Sequence, residues 1–242
     1  MATTWEMRNQ TTGGENRARP TASEGAYPKQ IGALFLSAFV LYGVGNGFAT
    51  SAGGPTARAV GALMMLLNSA AVVGLGVLFF PVLVGHGQRT PLGYLASRIV
   101  EAVFPAVGVL SLLVLLPAGQ DAGVGDPTVA LRANAAAYQV AMASLGAGSI
   151  FLCALLLRTG LIPRFLAAWG LIGYGIFLAG AVAEIVGFRV GLVLAVPGGL
   201  FELAFGSWLI IRGFRLLAHD PDRRAAHRTN GITGDVGERQ DH

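Results

Sequence analysis

Three carboxylates fall within or at the edge of long apolar stretches of this chain: Glu101, Glu184 and Glu202. An acidic residue at the centre of a membrane-spanning helix costs about 3 kcal/mol to insert, so such a group needs an interior partner or water. Glu202 lies nearest the middle of its stretch. On a helical projection Gly191, Ala195, Gly198, Glu202 and Gly206 share one stripe. Small residues let a neighbouring helix approach closely, so the stripe is expected to face a bundle interior. Pro197-Gly198-Gly199 comes just before Glu202, and a proline there frees the carbonyl of Val193. The favoured reading is a packing kink with an uncharged, hydrogen-bonded Glu202. The alternative is a broken helix at a binding or ion site, as transporters use. The preceding cation, Arg189, is thirteen residues earlier. That is about 20 Å along a helix axis, too far for contact.

The other polar groups sort by position. Glu184 shares a face with Gly173, Phe177 and Gly180, and Arg189 follows five residues on, so an interfacial ion pair is expected. Tyr94, Arg98 and Glu101 are spaced to share one helix face and read as an anchoring ion pair at the inner membrane boundary. Asn46 and Asn68 occupy the outer halves of the first two stretches, where amides serve as interhelical hydrogen bonds of about 1 kcal/mol. Asn68 and Glu202 have similar depths and are expected to be neighbours. Asn46, Asn68, Gln139, Glu184 and Glu202 are then expected to line one outward-facing polar interior.

Much chemistry has no residues to carry it. His86 sits at a stretch boundary and His219, His227 and His242 follow the last stretch, so a membrane haem or an HExxH zinc site is not expected. Cys153 is the single cysteine and reads as a small buried hydrophobe. There is no GxSxG, no P-loop and no dinucleotide fingerprint. No catalytic, metal-binding or cofactor-binding residue is assigned, and no cofactor is expected. Enzyme is the weaker hypothesis.

The elements that position these groups follow from composition. The 242 residues are 53% hydrophobic and only 12% charged, with 35 glycines, too few charges to disperse a soluble surface. A bilayer core about 30 Å thick needs roughly 20 apolar residues per crossing. Six stretches qualify: about 31–50, 59–84, 99–118, 135–157, 165–186 and 190–214. The runs are continuous rather than alternating, which argues against a β-barrel. Asp126-Pro127 reads as an N-cap followed by proline at the first helical position, so the fourth helix is expected to begin before the membrane. The fold expected is an all-α integral membrane bundle of six transmembrane helices spanning residues 31–214. Residues 1–30 read as a polar disordered tail, and residues 215–242 as a basic tail.

Orientation comes from the basic residues. Arg8, Arg17, Arg19 and Lys29 precede the first stretch; Arg89 and Arg98 lie in the second connection; Arg158 and Arg164 lie in the fourth. Arg212, Arg215, Arg223, Arg224, Arg228 and Arg239 close the chain. That places fourteen on one side against three, Arg58, Arg132 and Arg189, on the other, so both termini are expected in the cytoplasm. The tails are expected to lie against anionic lipid headgroups, each charge adding about 1 kcal/mol of attraction. No nucleic-acid module surrounds Arg223-Arg224, and no nucleic-acid partner is expected.

The run from Asn68 through Pro81, followed by Tyr94-x-x-x-Arg98-x-x-Glu101, resembles the uncharacterised bacterial membrane family named domain of unknown function 4386. Ile162-Pro163-Arg164-x-Leu166-Ala167-x-Trp169-Gly170-x-x-Gly173-Tyr174 is similar to that family's fourth-to-fifth connection. Pro197 with Glu202, Trp208 and Gly213-Phe214 is similar to its last helix. The resemblance implies a six-span protein of a bacterial inner membrane and carries no biochemistry with it. Two functions stand against each other. A non-enzymatic accessory, sensor or scaffold predicts a tightly packed interior without a cavity at Glu202. A small transporter or proton-coupled permease predicts a polar cavity reaching Glu202 and Glu184.

Overall fold

The computed structural model describes residues 22–51, 53–116 and 126–214. The expectations for both tails otherwise lie outside those residues, as does the end of the third stretch. Six α-helices account for nearly all of the described chain: α1 (Ala22–Thr50), α2 (Gly54–Val84), α3 (Arg89–Leu113), α4 (Pro127–Thr159), α5 (Arg164–Ile185) and α6 (Gly191–Ile211). All six are long and apolar enough to cross a membrane. Their outward faces carry the large apolar residues, with Leu192, Val193 and Ile211 the most exposed. Burial in such a bundle runs opposite to that of a soluble protein: the exposed faces meet lipid, and the polar residues turn inward.

Element boundaries differ from the apolar stretches in an instructive way. α1 begins at Ala22, inside the segment expected to be a polar tail. α3 begins at Arg89, ten residues before the third stretch. α2 and α4 have 31 and 33 residues. At 1.5 Å per residue they extend about 47 and 50 Å, well beyond the hydrocarbon core. The start of α4 follows the capping logic. The Asp126 side chain accepts a hydrogen bond from the Thr128 N–H at 2.7 Å, with Pro127 in the first turn. Its other end stops at Gly160, which adopts φ 70° and donates to the Leu156 carbonyl at 3.0 Å.

The helices close into a ring. Each packs on the next in sequence, and α6 returns to α1. Glycines set the closest approaches. A side chain on Gly61 would meet the backbone of Ala49 and the carbonyl of Gly45, which joins α2 to α1. Gly206 of α6 lies against the carbonyl of Gly32 in α1 and closes the ring. Gly173 of α5 lies against Pro197 and Gly198 of α6. Helix α6 runs unbroken through Pro197-Gly198-Gly199, which corrects the broken-helix alternative. The proline costs one hydrogen bond, and the packing of Gly173 and Phe177 against this turn keeps it helical.

The two ends of the ring are filled differently. Toward the end where α1 begins and α6 ends, Phe35, Phe79, Tyr94, Phe201 and Phe205 form an edge-and-stack aromatic cluster with neighbouring ring centroids 5.4–6.2 Å apart. Leu152, Cys153 and Leu156 of α4 complete it, so this half is closed. Toward the opposite end the packed cluster is Ala49, Ala62, Met65, Val109, Leu112, Leu115 and Ala130, drawn from α1 to α4 and the turn after α3. Helices α5 and α6 contribute nothing to it. The space they leave open is where the candidate site lies.

Candidate functional site

Arg98 is the centre of the buried polar network. Its position on α3, one turn after Tyr94 and one before Glu101, aims all three side chains at the ring interior. Its Nε donates to the Tyr94 hydroxyl at 2.8 Å, and Nη1 donates to Glu101 Oε2 at 2.8 Å and to Oε1 at 3.2 Å. The guanidinium also lies over the Phe35 and Tyr94 rings, 5.5 and 4.9 Å from their centroids. Arg98 is 2% exposed and Glu101 6%, and theirs is the one salt bridge among the described residues. The ion pair expected from sequence is formed, and the trio is buried in the ring interior rather than lying on the outer face of the bundle. Hydropathy averaging hides this: Tyr94 and Arg98 lower the mean at the start of α3, so the apolar stretch is read as starting at residue 99, just before Glu101.

Glu202 faces the same interior from α6. Its Oε1 accepts a 2.6 Å hydrogen bond from the Tyr174 hydroxyl of α5. Tyr174 is fully buried against Phe201 and Phe177. Glu101, held by Arg98, lies in the wall of the same cavity. Along the chain, the cation preceding Glu202 is Arg189, in the connection before α6. The one that matters comes across the ring from α3.

A chamber of about 420 Å³ opens onto both carboxylates. Glu101 and Glu202 lie in its wall with Asn68, Tyr42, Tyr138 and Phe177. Asn68 and Glu202 thus share one cavity. The Asn68 Oδ1 atom is buried and has no hydrogen-bond partner among the described residues. A second chamber of about 380 Å³ lies nearer the α5–α6 connection, bounded by Gln139, Glu184 and Arg189. The two share Tyr138, Met142, Phe177, Leu192 and Ala195 as lining, so they adjoin. Four of the five residues expected to form one polar interior, Asn68, Gln139, Glu184 and Glu202, line this pair of chambers.

Two details depart from the expected picture. Glu184 does not pair with Arg189: its Oε2 accepts the Gly191 N–H at 2.8 Å, and no salt bridge joins the two side chains. A free N–H at the first residue of α6 attracts an acceptor, and the short connection brings Gly191 under Glu184. Asn46 lines neither chamber. Its Oδ1 accepts a 3.1 Å hydrogen bond from Nδ2 of Asn134, a buried residue of α4 that sequence reasoning missed. Asn134 directly precedes the fourth apolar stretch, so hydropathy alone leaves it outside the span. Below that bond Tyr42 and Tyr138 stack with centroids 4.9 Å apart. Together they tie α1 to α4 across the ring and separate the packed wedge of α1 to α4 from the open side.

No group of three or more His, Cys, Asp or Glu side chains suited to a metal occurs among the described residues. What the chamber wall offers is two carboxylates, an unpartnered amide oxygen and aromatic faces around a membrane-embedded space, with the unpartnered Arg98 Nη2 buried behind Glu101. Six spanning-length helices closed around such a space define a multi-pass membrane protein. The chain belongs to the family described as Domain of unknown function (DUF4386), whose profile matches residues 30–213. No curated protein and no solved structure matches it.

Proposed function

We propose that the protein is a small, non-enzymatic permease of a bacterial plasma membrane, with both termini cytoplasmic and proton exchange centred on Glu202. One observation carries this reading over an accessory or scaffold role: the chamber that reaches Glu202 and Glu101 and adjoins the one at Glu184. A scaffold needs no such space, and packing would remove it at little cost. The closed half toward the termini and the open half opposite are the two ends of an outward-facing carrier. The groups that act on Glu202 are Tyr174 of α5 and Arg98 of α3, and Glu101 and Tyr138 also lie in the chamber wall. A solute that displaces a proton from this carboxyl couples the two fluxes.

The charge bias supports the orientation. Arg98 drops out of the count because it is buried in the ring. That leaves thirteen basic residues against three, still strongly one-sided.

The test is solute accumulation in proteoliposomes under an imposed pH gradient. The panel contains radiolabelled primary amines, quaternary ammonium ions, zwitterionic amino acids, carboxylates and sugars, each read against protein-free liposomes. Wild-type protein is expected to accumulate at least one class, and Glu202→Gln to accumulate none. Accumulation of no class, or equal accumulation by the variant, contradicts the proposal.

A further inference from the structure

Charge balance in the ring interior is uneven. Glu101 and Glu202 both face the larger chamber, and Arg98 is the single cation that acts on Glu202 among the described residues. Both oxygens of Glu101 are already engaged by Arg98 Nη1. Only Oε1 of Glu202 has a hydrogen-bond partner, Tyr174, which leaves Oε2 available on the chamber side. The unpartnered Asn68 Oδ1 adds a second acceptor in the same wall, whereas the unpartnered donor of the neighbouring network, Arg98 Nη2, does not line the chamber. Phe39, Tyr42, Tyr138 and Phe177 supply aromatic faces around them. Acceptors and π-faces with a deficit of positive charge select a cation that also donates hydrogen bonds.

The mouth of the chamber indicates where such a ligand comes from. Helices α1 and α6 touch closely at Gly32 and Gly206, toward the closed end. Farther along, Phe39 and Gly43 of α1 and Val196 and Leu200 of α6 line the chamber while remaining exposed on the bundle's outer face. Leu192, at 87% exposure, continues this apolar lip. An opening with such a rim faces acyl chains rather than water.

We infer that the larger chamber takes an amphipathic amine, an apolar body with one protonated amino group, which enters sideways from the bilayer between α1 and α6. The inference deepens the permease reading by naming its ligand class and route. The amino group meets Glu202 Oε2 and the Asn68 amide, and the apolar body occupies the aromatic part of the chamber. The volume of about 420 Å³ accommodates a ring with a short alkyl chain.

The test is saturable binding of tritiated phenylbutylamine to protein in nanodiscs, with its isosteres phenylbutanol and phenylbutanoate as competitors. Wild-type protein is expected to bind the amine at least about tenfold more tightly than either isostere, and Glu202→Gln to remove that preference. Gly43 has open space around it, so Gly43→Trp places an indole at the mouth without backbone collision. That variant is expected to slow association about tenfold, whereas Gly47→Trp, one turn along α1 and outside the chamber, leaves it unchanged. Stronger binding of phenylbutanoate overturns the ligand class, because it makes Arg98 the recognising group. Unchanged association in Gly43→Trp overturns the lateral route. Absence of saturable amine binding, with solute accumulation intact in the proteoliposome panel, overturns this inference and leaves the permease reading standing.

Discussion

Arg98→Leu should destabilise the protein by about 3–5 kcal/mol, the range for removing one partner of a buried ion pair. The pair is nearly inaccessible, and its loss strands Glu101 with both oxygens unmatched. Tyr94 loses the guanidinium that its hydroxyl accepts from, and Phe35 loses the cation beside its ring. Most of the cost is the stranded carboxylate rather than the lost attraction. Arg98→Leu combined with Glu101→Leu should therefore recover most of the stability. Arg98→Lys should fall between them, since one ammonium cannot reproduce the planar fork that reaches Tyr94 and Glu101 together. Thermal unfolding in detergent, followed by fluorescence-detected size exclusion, ranks the four proteins. A double variant as unstable as Arg98→Leu would contradict this account of the network.

Glu202 should separate stability from function. Glu202→Gln keeps an acceptor for the Tyr174 hydroxyl and should match wild type in expression and melting temperature. Glu202→Leu removes that acceptor and leaves the hydroxyl buried without a partner, costing about 1–3 kcal/mol. Tyr174→Phe in the Glu202→Leu background removes the stranded group and should add little further loss. The two positions should thus show a coupling energy in a double-mutant cycle. Strictly additive losses would mean that the 2.6 Å bond contributes no stability. A Gln variant that fails to fold would mean that the ionised carboxylate is required, with Arg98 as the cation it serves.

Much of the architecture was legible before the fold. Continuous apolar runs and glycine spacing are local properties, so six helices and the inward stripe through Gly198, Glu202 and Gly206 follow from them. Asp126-Pro127 announces the start of α4 by the same local logic. The errors have a common cause. Hydropathy averages around a helix, so inward-facing polar residues look like a boundary: the apolar stretch starts ten residues after α3 does, and the burial of Tyr94, Arg98 and Glu101 inside the ring was not legible. Partners across the ring were invisible for a different reason. Tyr174 and Glu202 are twenty-eight residues apart, and Asn46 and Asn134 eighty-eight. No spacing rule links them until α6 closes on α1. Tyr174 did leave a trace, since it directly follows Gly173 on the inward face of α5.

The central claim is that an open chamber reaches the buried carboxylates, and cysteine accessibility in intact cells tests it most directly. The native Cys153 is fully buried, so the unmodified chain supplies little background. Cysteines replace Ala195 and Met142, which line both chambers, and also Leu152 in the closed half and Val193 on the lipid face. With both termini cytoplasmic, an externally added membrane-impermeant maleimide should label positions 195 and 142 and spare 152 and 193. Labelling at 195 and 142 only from the cytoplasmic side would reverse the orientation. No labelling at 195 or 142 from either side would contradict the claim, because no aqueous path through the chamber at Glu184 would then reach Glu202.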